Sequence, residues 1–222
     1  MKTILLTGFE AFGTTPVNPA EKVARHLDGE TVEGARIVSS VIPNTFFVCI
    51  DAVKAAMAQS GADAVVMMGE FGGRATITVE RFALNFNDAT RYGLKDNAGV
   101  SLQDKPTALE GPLAYQSTLP LRAMVKAMRD GGIPADISDA AGTFCCNHLF
   151  YGVLHHLAQT NRTTPAGWIH LPHLPEVAAM DANLGAPSMS VETAAAGLRL
   201  ALSALVKHPQ DIDDAISGRL QI

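Results

Sequence analysis

Short apolar runs that end at glycine or a turn alternate, along the first third of the chain, with segments of helical periodicity. Residues 3–7 (Thr-Ile-Leu-Leu-Thr) run into Gly8, and residues 63–68 run into Gly69. Between them, residues 35–42 form a further strand-like run. Asn18-Pro19 opens one helix with a cap and a proline in its first turn, and Val23 and Leu27 follow at helical spacing. A second helix is predicted over residues 45–60, with Phe47, Ile50, Val53, Ala56 and Met57 on one face. Strands alternating with helices point to a parallel sheet covered on both faces.

The pattern changes at residues 75–86, a long β-branched and aromatic stretch that reads as an extended, bent strand. Residues 87–116 are rich in Gly, Asp, Asn and Pro and suit a functional loop or an arm used in association. Alternation then resumes: helix 119–129, strand 135–138, helix 146–159, strand 167–171 and helix 190–206. No linker or repeat interrupts the 222 residues, of which 47% are apolar. The expected architecture is therefore one domain over 1–222. It is a three-layer α/β/α sandwich around a mostly parallel twisted sheet, with an extended hairpin or arm near residues 75–116.

The net charge of −5 and the lack of a basic run argue against nucleic acid as a partner. No apolar run reaches the roughly 18 residues of a membrane span, so a cytoplasmic protein is expected. The three cysteines, Cys49, Cys145 and Cys146, are too few and too unevenly spaced for a disulfide framework or a thiolate metal site. A reactive thiol is what they leave open.

The segment Ala141-Gly142-Thr143-Phe144-Cys145-Cys146-Asn147 reads as a strand-to-helix junction. A thiol at a helix N-terminus sits beside unpaired amide donors, which lower its pKa and offer a hole for an oxyanion. Cys146 is therefore the candidate nucleophile. The competing reading makes both cysteines small core residues. Among the seven histidines, His170 lies near the carboxyl end of a predicted strand, where ligands of open α/β sheets bind, and is the candidate base. His148, His155 and His156 fall on a helix, facing solvent or closing a packing gap, and His173 suits loop surface or site equally. Glu80, in an otherwise apolar strand, needs a partner. His170 would supply one and have its tautomer fixed in return, whereas Arg74 or Arg81 would make a structural ion pair.

Two other chemistries fit poorly. Gly8-Phe9-Glu10-Ala11-Phe12-Gly13 follows a strand as a phosphate loop would, but it lacks the Gly-Lys-Ser/Thr ending and carries Glu10. His155, His156, His170 and His173 have neither the i, i+4 spacing nor the carboxylate of a metal set. Neither a metal nor another cofactor is expected.

Several motifs in one order resemble the pyroglutamyl peptidases of the pyrrolidone-carboxylate peptidase type, cysteine peptidases that remove an N-terminal pyroglutamate. They are Thr7-Gly8-Phe9-Glu10-Ala11-Phe12-Gly13, Gly72-Gly73-Arg74, Ile77-Thr78-Val79-Glu80-Arg81-Phe82, Gly142-Thr143-Phe144-Cys145-Cys146-Asn147-His148 and Ile169-His170-Leu171-Pro172. The resemblance covers nearly the whole chain. It implies an α/β/α fold, no metal cofactor, a cytoplasmic location and a homo-oligomer, tetramer or dimer. It places the catalytic cysteine, histidine and glutamate at Cys146, His170 and Glu80. It also implies that Phe9 and Phe12 hold the lactam ring, that groups near Glu70 and Phe71 read its amide, and that Arg91 stands near the oxyanion. Three features depart from the family pattern: Gly69-Glu70-Phe71 replaces the common Gly-Gln-Ala, Cys145 adds a second thiol, and the stretch at residues 88–97 is longer than its family counterpart. The competing functions are a non-catalytic pyroglutamyl-binding module and a phosphorylase on a similar frame.

Overall fold

A computed structural model describes residues 1–218. β1 (Thr3–Phe9) is followed by α1 (Pro19–Leu27), whose N-cap Asn18 accepts the Ala20 N–H at 2.9 Å. β2 (Thr31–Val32), β3 (Ala35–Ile42), α2 (Val48–Ser60) and β4 (Ala64–Glu70) come next. β5 (Ile77–Glu80) and β6 (Phe82–Leu84) share the long extended stretch, which breaks at Arg81. β7 (Ala114–Gln116), α3 (Leu121–Asp130), β8 (Ala135–Ser138), α4 (Cys145–Gln159), β9 (Ala166–Leu171), α5 (Pro175–Ala178) and α6 (Val191–Lys207) complete the chain.

The main sheet has the order β2-β3-β1-β4-β9-β5-β8. β3, β1, β4 and β9 are parallel, β5 runs antiparallel to β9, and β8 is parallel to β5. The sheet is thus mixed, with a reversal of direction between β9 and β5. β6 and β7 pair antiparallel in a separate two-stranded sheet, Phe82 opposite Gln116, and form the root of the arm.

Period-2 alternation divides the core into two layers. Ile4, Leu6, Val66, Met68, Ile77, Val79 and Ile169 face α1, α3 and α6. Leu5, Phe9, Val65, Met67 and Trp168 face α2 and α4. Gly8 is required where β1 meets α1: a Cβ there would lie 2.1 Å from the Ala20 carbonyl oxygen. The helix expected over residues 45–60 begins only at Val48. Phe47 adopts φ 65° and its N–H is taken by the His148 side chain, so the helix cannot extend back through it.

Candidate active site

The alternation that builds the core also builds the site. On β5, Ile77 and Val79 point to one layer, so Thr78 and Glu80 point to the other, toward α4. On β9, Trp168 and His170 share that face. Thr78 lies directly opposite His170, and Glu80 opposite Trp168, so Glu80 is the diagonal neighbour of His170. His170 Nδ1 lies 2.9 Å from Glu80 Oε1, and both side chains are buried, with Glu80 0% exposed.

Glu80 Oε1 also accepts hydrogen bonds from Arg74 Nη1 at 2.8 Å and Thr78 Oγ1 at 3.1 Å. Two of the partners considered for Glu80, His170 and Arg74, are therefore engaged together. Arg81 turns away to Asp139 at 2.9 Å. Burial alone would push the Glu80 carboxyl up, but the His170 hydrogen bond and charge, with Arg74, hold it below the usual carboxylate range. An ionised carboxylate only accepts, so the neutral imidazole carries its proton on Nδ1 and leaves Nε2 free. Burial lowers the His170 pKa, and the Glu80 contact only partly opposes it.

Cys146 lies in the first turn of α4, at the reversal of the sheet. Phe144, the N-cap, offers no side-chain cap, so the first-turn N–H groups have no helical acceptor. The thiol rests on Gly69: a Cβ there would lie 3.0 Å from Cys146 Sγ and 2.6 Å from Trp168 Cζ2. Only glycine lets α4 come this close to β4. The lowered thiol pKa expected from the helix terminus is not found. Burial pushes the Cys146 thiol up, and the negative charges of Glu80 and Glu70 add to the effect. Cys145 and Cys49 are fully buried among core side chains and their thiols are pushed up by burial too, Cys49 to about 12.

Cys146 and His170 line one cleft of about 200 Å³, with no hydrogen bond between them among the described residues. Such contacts commonly tighten only when substrate is bound. The walls are mainly apolar: Phe12, Phe71, Phe144, Leu94 and the Tyr92 ring. Phe12 packs on Phe144 at 5.8 Å, and Phe71 stands edge-on to His170 at 5.2 Å. A larger hollow of about 520 Å³, beside Arg81, Ser117 and Arg122, contains neither Cys146 nor His170.

Of the residues expected to bind substrate, Phe12, Phe71 and Glu70 reach the cleft, and two do not. Phe9 is 1% exposed, with its ring 5.5 Å from Trp168 in the core, because β1 continues through it and its parity turns it inward. Arg91 is exposed, with its guanidinium 5.2 Å from the Tyr92 ring, and is absent from the cleft lining. Glu70 shares the parity of Val66 and Met68, away from Cys146, and its carboxylate binds His173 Nδ1 at 2.7 Å. The Phe71 N–H is spent on the Leu171 carbonyl at 2.9 Å. Phe144 and Tyr92, which sequence reasoning missed, stand in the walls instead. The signal for Phe144 was its place beside the cysteines, whereas Tyr92, in the arm at residues 87–116, had none. Among the described residues no group of three or more His, Cys, Asp or Glu is disposed to hold a metal ion.

A family model described as pyroglutamyl peptidase matches residues 2–208. The chain is 56% identical over 222 residues to a pyrrolidone-carboxylate peptidase of Mycobacterium bovis (strain BCG / Pasteur 1173P2), covering 100% of both chains. It is 43% identical to one of Bacillus cytotoxicus, over 96% of each. Among solved structures, it resembles the pyroglutamyl peptidase I of Bacillus amyloliquefaciens with a TM-score of 0.91 at 34% identity, over 96% of this chain and 99% of that one.

Proposed function

The chain belongs to the pyroglutamyl peptidase family, and we propose that Cys146, His170 and Glu80 carry out the cysteine-type hydrolysis that removes an N-terminal pyroglutamyl residue from peptides. The observation that carries this assignment is the buried 2.9 Å contact between His170 Nδ1 and Glu80 Oε1, in a cleft that His170 shares with Cys146.

The lactam ring lies between the Phe12, Phe71 and Phe144 side chains, which exclude water from the scissile bond. His170 Nε2 takes the thiol proton as Cys146 Sγ attacks the pyroglutamyl carbonyl carbon. The carbonyl electron pair moves to oxygen, which rests on the uncapped N–H groups of the first turn of α4. Collapse of this intermediate expels the peptide amine, which takes its proton from His170. Water then attacks the thioester with His170 again as base, and pyroglutamate leaves with the thiol restored. Glu80 holds the productive tautomer and stabilises the imidazolium in both halves.

Because the resting thiol is protonated and the imidazole neutral, the ion pair forms only as the reaction proceeds. Three free thiols and a mechanism that needs one of them reduced suit a cytoplasmic location. Leu109 and Leu113, 91% and 89% exposed on the arm, suit self-association, as dimer or tetramer.

Release of a chromophore from a pyroglutamyl amide tests the assignment. Cys146→Ser lowers kcat/KM by about a thousandfold or more, whereas Cys145→Ala keeps most of it. Equal losses at the two positions, or turnover that survives thiol alkylation, would contradict it.

A further inference from the structure

The loop between β4 and β5 carries a side chain that touches both the cleft wall and the Glu80–His170 pair. Arg74 Nη1 donates to Thr78 Oγ1 at 2.5 Å and to Glu80 Oε1 at 2.8 Å. Thr78 Oγ1–H donates to the same Glu80 oxygen at 3.1 Å, so the three groups form a closed set around Oε1. The other surface of the guanidinium is also in use: its carbon lies 3.8 Å from the centroid of the Phe71 ring. Phe71 in turn stands edge-on to His170 and lines the cleft beside Cys146. The Arg74 side chain is only 18% exposed, so these contacts are made largely out of water. A surface ion pair would need no such arrangement, and a core arginine would not place its plane against an exposed aromatic.

We infer that Arg74 is a positioning residue for the peptidase reaction, holding Glu80 through its Nη1 and the cleft wall through its stacking on Phe71. This rests on the assignment of Cys146, His170 and Glu80 given above and adds to it a residue that touches neither substrate nor the reacting atoms. Its two tasks need different properties of the side chain. Holding Glu80 needs a positive charge and a donor, which lysine also has. Holding Phe71 needs a planar cation, which lysine lacks.

The charge has a further consequence. His170 is faced by Glu80 and Thr78 from β5, by Cys146 from α4, and by Phe71 and Arg74 from the loop. Among the described residues Arg74 is the positive charge in that shell and disfavours the imidazolium, whereas Glu80 favours it. Removing the positive charge raises the His170 pKa, so the neutral base is lost at a higher pH.

The test is the pH profile of kcat/KM on a pyroglutamyl amide for the parent protein, Arg74→Met, Arg74→Gln and Arg74→Lys. In Arg74→Met and Arg74→Gln the acid limb is expected to move up by about half a pH unit or more, and kcat falls. Arg74→Lys restores the limb to the parental position but leaves KM raised several-fold, since the stack on Phe71 is not rebuilt. Gln keeps a donor for Glu80, so the neutral variant remains measurable if Met prevents folding. The inference is overturned if both neutral variants keep the parental limb, or if Lys is indistinguishable from the parent in KM. A parent protein without thiol-dependent turnover would instead refute the underlying assignment, a separate and visible failure.

Discussion

At the scale of single residues, the site sets a raised thiol beside a lowered imidazole. Together they fix the pH range of the reaction. The His170 pKa is depressed, chiefly by burial, below its ordinary value of 6.5, and that of Cys146 is raised, chiefly by burial, above 9.0. The neutral base and the protonated thiol are therefore both favoured between those two values, and the acid limb of kcat/KM should have its midpoint below pH 6.5. Glu80→Gln sharpens the point. Oε1 alone receives all three donors, so the glutamine can place its carbonyl oxygen there and keep the Nδ1–H tautomer of His170. What it loses is the negative charge that raises the His170 pKa. Its acid limb should move to lower pH, opposite in sign to Arg74→Met. Its rate should fall by about 10- to 100-fold, less than in His170→Ala. Full activity in Glu80→Gln would contradict the role given to Glu80.

At the scale of elements, α4 holds the site together through the two residues that follow Cys146. Asn147 Oδ1 accepts the Leu84 N–H at 2.8 Å, and its Nδ2 donates to the Leu84 and Phe86 carbonyls at 2.9 Å, replacing a missing strand neighbour for β6. His148 Nε2 accepts the Phe47 N–H at 2.9 Å, so its Nδ1–H donates to Thr107 Oγ1 at 3.0 Å. Burial lowers the His148 pKa from 6.5 to about 4. The unfolded chain thus binds a proton that the folded chain refuses, and stability present above pH 6.5 is lost as the pH falls toward 4. The linkage amounts to about 3 kcal/mol. Urea denaturation of His148→Phe should show a correspondingly shallower loss across that window, though a lower plateau above it. An unchanged slope would show that another group titrates.

Much of this arrangement was legible in the sequence where side-chain parity is uninterrupted. The strands at 35–42 and 135–138 have the bounds that their apolar runs predict, and strand-end reasoning points to His170, whereas the residues alone leave Glu80 divided between His170, Arg74 and Arg81. Phe9 was misplaced because β1 runs two residues beyond the expected end, into the glycine-flanked loop. β2 and β7, two and three residues long, leave no periodic trace. The coupling of Arg74 to Glu80 depends on a turn through Gly72 and Gly73 that spacing alone does not define. The positive φ of Phe47 depends on a histidine 101 positions away.

At the scale of the whole molecule, the reversal of the sheet between β9 and β5 makes the site possible. It brings Thr78 and Glu80 of one strand against His170 of its antiparallel neighbour, on which α4 packs. The mostly parallel α/β/α sheet is as expected, but local hydrophobic pattern does not reveal strand direction, so which strand reverses could not be read from it. The chain after α6 closes the far edge: Asp211 accepts the Arg122 and Ala123 N–H groups at 3.0 Å, capping α3, and Arg129 donates to the Ser217 carbonyl. Asp211→Ala should cost about 1 kcal/mol in chemical denaturation while leaving the shape of the pH profile unchanged. A changed profile would mean that the tail reaches the site.

On the proposed assignment Cys146, alone of the three thiols, forms a covalent bond to the pyroglutamyl group. Its most direct measurement is peptide mapping by mass spectrometry after inactivation with a pyroglutamyl diazomethyl ketone. One label per chain is expected, on Cys146, with labelling slowed by 2-pyrrolidinone as a ring competitor. A label on Cys145 or Cys49, or complete inactivation with Cys146 unmodified, would contradict the assignment.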